Sequence, residues 1–179
     1  LHMHIDDLKQ RHVEAGDGIS AVLDELARHT RDRPSVRLRD RMGQGIAFVT
    51  FAFDIDGVSM EIAKYARCFS EISPGAPIHC IAGNFGEKAD VVLDPGWQRC
   101  RLEGADGWDK WGDGKWFARL FYEDLAPGSR QSSELAAEMW QQALALAERL
   151  ADYIEDHHIG LLMTVNTNSN PGNVAFALA

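Results

Sequence analysis

Two polar stretches carry residue types able to bind or transform a ligand. The first, Asp54-Ile55-Asp56-Gly57-Val58-Ser59, follows an apolar run directly. Its glycine lets a ligand approach the backbone, and a helix starting there offers amides suited to phosphate. Asp56 equally suits a helix cap, and Ser59 suits a slightly later start. Neighbouring carboxylates repel a bare phosphate, so an anion held here needs cations from elsewhere. The second stretch is Asn166-Thr167-Asn168-Ser169-Asn170-Pro171-Gly172-Asn173, with four asparagines within eight residues. Amides and hydroxyls supply donors and acceptors without net charge, as a neutral polyol such as a sugar requires. Each asparagine taken singly is also a turn former or a cap.

A third candidate is residues 108 to 117, where Trp108, Trp111 and Trp116 stand among aspartates and lysines. Indole faces stack on sugar rings and neighbouring charges bond hydroxyls, while the same rings also pack irregular insertions. Asp106, Asp109 and Asp113 miss the alternating spacing of a calcium loop. Gly43-Gln44-Gly45 precedes an apolar run instead of following one, and Gly83-Asn84 brings no acid for a ribose. A nicotinamide enzyme is therefore disfavoured. His79 reads as a core residue, and the adjacent His157 and His158 do not share a helix face. No serine-centred elbow is present, and the cysteine spacing suggests no zinc site.

These stretches must be positioned by the elements around them. Residues 46 to 53, IAFVTFAF, form an almost unbroken apolar run, which predicts a strand buried on both faces. From Gly57 the period changes, and Val58, Ile62, Tyr65, Ala66 and Phe69 predict an amphipathic helix ending at Ser73-Pro74-Gly75. A second strand is predicted over 77–83, a short apolar stretch over 90–93, and an irregular region over 94–130. A long helix over 132–157 carries Leu135, Met139, Ala143, Leu146, Leu150 and Ile154 on one face, with Glu134 near its start suiting the dipole. The run 161–165 predicts another buried strand, and Pro171 suits a first helical turn. Residues 4 to 30 read as helical, with Ile19, Val22, Leu23 and Leu26 in one stripe. Apolar strands alternating with helices predict an α/β fold, a doubly wound, mostly parallel sheet with helices on both faces. The expected organisation is a helical extension and connector over 1–45 and a sheet domain over 46–179.

With 179 residues, 45% apolar and 25% charged, the chain has the composition of a soluble globular domain. A net charge of −9 spread along the chain argues against a nucleic-acid partner. Three cysteines without CxxC spacing fit a cytoplasmic setting. No run approaches the roughly 18 apolar residues of a membrane span. The last residues, NPGNVAFALA, open like a helix with nothing to close it, which leads us to expect a longer native protein.

The strand IAFVTFAF, loop DIDGVS, helix MEIAKYARCFSEI, strand IHCIAGN and late NTNSNPGNVAFALA together resemble the amino-terminal Rossmann-like domain of GT-B fold, family-4-like retaining glycosyltransferases. The similarity covers about residues 45 to 179 in order and spacing. Members often place Gly-Gly-(Val/Ile) between the first strand and helix, whereas this chain has Asp56-Gly57-Val58-Ser59. The resemblance implies an acceptor-side domain, with the nucleotide-diphosphate sugar held mainly by a carboxy-terminal domain and no permanently bound cofactor or metal. It implies that Asp56, Gly57, Val58 and Ser59 face the donor phosphates. Asn166, Asn168, Ser169 and Asn170, with Trp108 and Trp111, would face the acceptor. FDIDGV is also similar to the DxDG motif of haloacid-dehalogenase-like phosphatases, which implies Asp54 as nucleophile, Asp56 as acid/base and a Mg²⁺ ion. That family usually follows the motif with a leucine and a flap, and its lysine and final acidic motifs have no counterpart here. A non-catalytic carbohydrate-binding module is the third alternative.

Overall fold

A computed structural model describes residues 36–170 and 172–179, together with Asp24, Ala27 and Arg28. The chain divides into two units, Leu1–Arg37 and Leu38–Ala179. Of the helix expected over residues 4 to 30, Asp24, Ala27 and Arg28 are described and are helical; the rest of it lies outside the described residues, as does Pro171. The second unit begins with a short helix, α1 (Leu38–Met42), so part of the expected connector belongs with the sheet domain. Met42 is buried in that domain's core.

Continuous apolar sequence produces the central strands. β1 (Ile46–Val49) and β3 (Ile78–Ala82) are buried at every position and pair in parallel from Ile46 with Ile78 to Val49 with Ile81. The expected single strand 46–53 is interrupted, however. A separate two-residue β2 (Ala52–Phe53) pairs with β4 (Asn84–Phe85) beyond the break. The paired strand breaks at Gly83, where the backbone of Ala105 and Asp106 lies so close that a Cβ would overlap it. The Phe51 carbonyl accepts from the Gly83 amide at 3.1 Å and the Asn84 amide at 3.3 Å, which preserves pairing across the break.

Two edge strands complete a four-stranded parallel sheet of order β5-β3-β1-β6. β5 (Gln98–Arg101) lies inside the region expected to be irregular, and three of its four residues are exposed. β6 (Leu161–Thr164) differs from the fully buried strand expected: Leu161 and Met163 turn inward, whereas Leu162 and Thr164 are exposed. It borders the sheet, so one face has less cover.

Helices cover both faces. On one, α2 (Gly57–Ile72) buries Ile62 and Ala66 against Ile46, Phe48 and Cys80, with Leu93 after the short α3 (Ala89–Val92) closing the cluster. Burying a side chain such as Phe48 or Ile62 contributes about 1.5–3 kcal/mol. The helix stops where expected, because Pro74 cannot extend it and Gly75 takes a φ of +88°. On the other face, α5 (Arg130–Asp156) packs Leu135, Met139, Ala143, Leu146 and Leu150 over Ala47, Val49 and Ile81. It starts two residues before the expected position, capped by Ser129, so Glu134 lies one turn inside and pairs with Arg130 instead of the dipole. The small helices α4 (Lys115–Phe121) and α6 (Val174–Leu178) complete the fold, which is α/β, Rossmann-like and doubly wound.

Candidate functional site

From β1 the chain builds outward through β3 to β5 and then returns to place β6 on the opposite side of β1. The strand order thus reverses between β1 and β6, which is where open α/β sheets form a crevice beyond their strand ends. The Val165 amide donates to the Val49 carbonyl at 2.8 Å, so the chain leaves both strands side by side. The loop after β2 carries Asp54 to Ser59, and the loop after β6 carries Asn166 to Asn173. The structure therefore brings both polar stretches to one end of the sheet, on either side of the reversal.

Phe51 joins these segments. Gly172 lies against its ring with no space for a Cβ, Gly107 lies against its Cβ, and the Phe176 ring is 6.2 Å away. Asn173, fully buried, donates from Nδ2 to the carbonyls of Gly104 and Asp106 at 2.8 and 3.0 Å. Its Oδ1 accepts from the Phe176 amide and caps α6. One asparagine thus ties the loop after β6 to residues 104–107. Asn173 belongs to the asparagine cluster expected to bind a ligand but is instead a buried cap and tie, whereas nothing in the sequence marks Phe51, Gly107 or Gly172 as contacts between these segments.

In the first loop, Asp56 is the cap of α2. Its Oδ1 accepts from the Ser59 amide at 2.8 Å and its Oδ2 from the Ser59 hydroxyl at 2.9 Å. Ser59 is fully buried and its Oγ also accepts from the Asp54 amide at 3.1 Å, so its side chain cannot reach a ligand. Val58 packs into the core beneath. Gly57 is exposed, with nothing near its Cβ position. A first-turn amide has no intrahelical acceptor, which leaves the Gly57 backbone open to one. Asp54 turns the other way: its Oδ1 accepts from the Ile55 amide at 2.8 Å, and Oδ2 occupies the space a side chain at Gly86 would need. The two aspartates therefore serve different local contacts, and Asp56 has both oxygens engaged by Ser59.

In the second loop, Asn166, Asn168, Ser169 and Asn170 are all exposed. Asn166 adopts φ +65°, a left-handed conformation that asparagine tolerates, and its carbonyl accepts from the Asn170 amide at 3.1 Å. Asn168 is held by Thr167 at 2.9 Å and by the Ala177 carbonyl at 3.3 Å. Ser169 and Asn170 leave most of their side-chain bonding capacity to solvent.

The tryptophans separate by role. Trp111, expected at the acceptor, is instead a core residue, 3% exposed, with its indole N–H donating to Gln142 at 3.2 Å. Its apolar surface fills the irregular segment against α5, so it presents no stacking face. Trp108 is 56% exposed and remains accessible. Phe117, Phe121 and Tyr122 extend the aromatic surface beside it.

Three titratable groups with shifted affinity, His79, Cys80 and Tyr153, lie on β3 and α5 and in neither polar loop. His79 is buried on β3, with Nδ1 3.0 Å from the Tyr153 hydroxyl and its ring centroid 5.2 Å from that of His157. Burial, then repulsion from His157, holds its pKa below the usual value. Burial raises Cys80 to about 12, against a smaller opposing effect of Arg99, and raises Tyr153 to about 12. Among the described residues no group of three or more His, Cys, Asp and Glu is placed to hold a metal ion. Among them, too, no helix is long and apolar enough to cross a membrane.

Comparison of the chain with protein-family models, curated proteins and solved structures finds no match.

Proposed function

We propose that this chain is the amino-terminal, acceptor-side domain of a nucleotide-sugar-dependent glycosyltransferase. The observation that carries this reading is the strand order β5-β3-β1-β6, which sets an open glycine backbone and an amide-rich loop on either side of one crevice. The donor diphosphate approaches the Gly57 backbone at the start of α2, where the helix dipole favours negative charge. Asp54 and Asp56 lie beside that position, so the cations that neutralise the diphosphate come from a second domain. Such preorganised charge and dipoles stabilise the leaving group without a metal. The acceptor lies against Asn166, Asn168, Ser169, Asn170 and Trp108, whose side chains bond hydroxyls and offer an apolar ring face. Trp111, Val58 and Ser59 support these groups from beneath.

The native full-length protein is the material for the test. Its sequence is expected to continue into a second Rossmann-like half. Assayed with a panel of nucleotide sugars, it should release nucleoside diphosphate only in the presence of acceptor. Gly57→Val should lower kcat/KM for the donor by about tenfold or more, since a bulky side chain blocks the backbone approach. Asp54→Asn should leave transfer largely intact. Mg²⁺-dependent hydrolysis of a phosphoester, abolished by Asp54→Asn, would sink the transferase reading in favour of a phosphatase. Sugar binding without turnover, in a native chain lacking a second half, would leave a binding module.

A further inference from the structure

An exposed aromatic ridge runs outward from the crevice. It begins at Trp108, the neighbour of the Gly107 that rests on Phe51. The Trp108 ring lies 5.5 Å from that of Phe117, which in turn lies 4.7 Å from Phe121 and 5.9 Å from Tyr122. Trp108, Phe121 and Tyr122 are 56%, 46% and 79% exposed, so their surfaces serve no packing role proportionate to their size. Contiguous exposed aromatics of this kind mark a binding surface. Beyond Tyr122 a cleft of about 410 Å³ opens between the end of α4 and the start of α5, lined by Arg119, Glu123, Asp124, Leu125, Gln131 and Glu134. That volume falls within the roughly 300–1,000 Å³ of ligand sites.

We infer that this ridge and cleft bind an uncharged oligosaccharide, so that the acceptor is a glycan chain several units long. The inference rests on the transferase reading of the crevice, which it extends by naming the acceptor class. Ring faces match the apolar C–H faces of successive sugars, and planar carboxylate and amide side chains match their hydroxyls. Charge excludes the alternatives that share an affinity for aromatics. Between Asp106 and Leu125 there are five acidic residues, Asp106, Asp109, Asp113, Glu123 and Asp124, against Lys110, Lys115 and Arg119. Arg119 is already engaged, 5.0 Å over the Trp116 ring and 3.1 Å from Glu138. An anionic membrane, a nucleic acid or a uronic-acid polymer would meet net repulsion on this surface.

The test titrates the native full-length protein with maltohexaose, cellohexaose and N-acetylchitohexaose, followed by tryptophan fluorescence, with glucose and hexagalacturonate as controls. At least one uncharged hexamer should bind saturably and at least about tenfold more tightly than glucose, while hexagalacturonate should not bind. Trp108→Ala and Tyr122→Ala should each weaken binding by roughly three- to tenfold, and Trp108→Phe and Tyr122→Phe should restore most of it. Tyr122 is so exposed that its replacement leaves the fold intact, which separates lost contact from lost structure. The inference is overturned if none of the three hexamers binds, or if both alanine variants bind them unchanged. It is equally overturned if the ridge instead binds phosphatidylserine vesicles, or forms a dimer that Tyr122→Ala dissolves in sedimentation. Hexamer binding through the ridge in a protein that turns over no nucleotide sugar would leave a glycan-binding face and remove the transferase reading. Transfer to a small alcohol with no hexamer binding would do the opposite.

Discussion

Asp56 shows how one side chain settles the character of a loop. Both of its oxygens accept from Ser59, so its role is to start α2. Removing a cap of this kind costs about 1 kcal/mol, and Asp56→Ala also leaves the buried Ser59 hydroxyl without its acceptor. A urea titration should show a lower midpoint with unchanged slope. The glycines give a sharper contrast. Gly83→Ala would drive a Cβ into the backbone of Ala105 and Asp106, which cannot move aside as a flexible side chain can. We expect a loss of about 3 kcal/mol or more, whereas Gly57→Ala, in open space at a helical first turn, should be neutral or stabilising by about 0.5–1 kcal/mol. If the same titration ranks these two variants equally, the packing of residues 104–107 on the sheet is not as described. From sequence, Gly57 is the glycine with an evident purpose, because its neighbours announce a turn into a helix. The demands on Gly83 and Gly172 come from segments that meet them only in the folded chain, and no local pattern records them.

At the scale of elements, β3 and α5 meet through His79, Tyr153 and His157. The groups beside His79 are the Tyr153 hydroxyl and ring and the His157 ring; the thiols of Cys80 and Cys100 act on Tyr153. None is an anion that would welcome a proton. With its folded pKa lowered, His79 binds fewer protons in the native state than in the unfolded chain. Its contribution to stability is therefore complete above about pH 6.5 and is lost progressively as pH falls below that value. Denaturation midpoints measured from pH 7.5 to pH 5 should fall with acid, and His79→Leu should flatten the decline; an equal decline in both proteins would remove His79 as its source. The helix that packs here was legible because six apolar residues, Leu135 to Ile154, recur at helical spacing over about five turns. α2 was legible for the same reason. β5 was not, because Gln98-Arg99-Cys100-Arg101 has no apolar alternation and is held as a strand by its pairing with His79 to Ala82. Backbone hydrogen bonds to a partner distant in sequence leave no periodicity to read.

For the molecule as a whole, the alternation of apolar strands and amphipathic helices announced a parallel sheet, and burial explains which strands lie inside it. β1 and β3 are buried throughout and central, whereas β5 and β6 carry exposed residues and lie at the borders. What sequence does not contain is the side of β1 to which β6 returns, and that choice creates the crevice. Had β6 joined beyond β5, the loop of asparagines would lie three strands away from Gly57. The order found makes the two loops neighbours, and this has a consequence for dynamics. Loop amides outside regular hydrogen bonding exchange through local openings, and a ligand spanning the crevice restrains both flanks together. Hydrogen exchange on the native protein, with and without a nucleotide sugar of the kind the proposed function requires, should show joint protection of residues 54–59 and 166–173. Residues 157–160, at the opposite end of the sheet, should exchange unchanged. Protection confined to one loop would mean that they do not share a ligand, and protection centred on 157–160 would move the site to the other end of the strands.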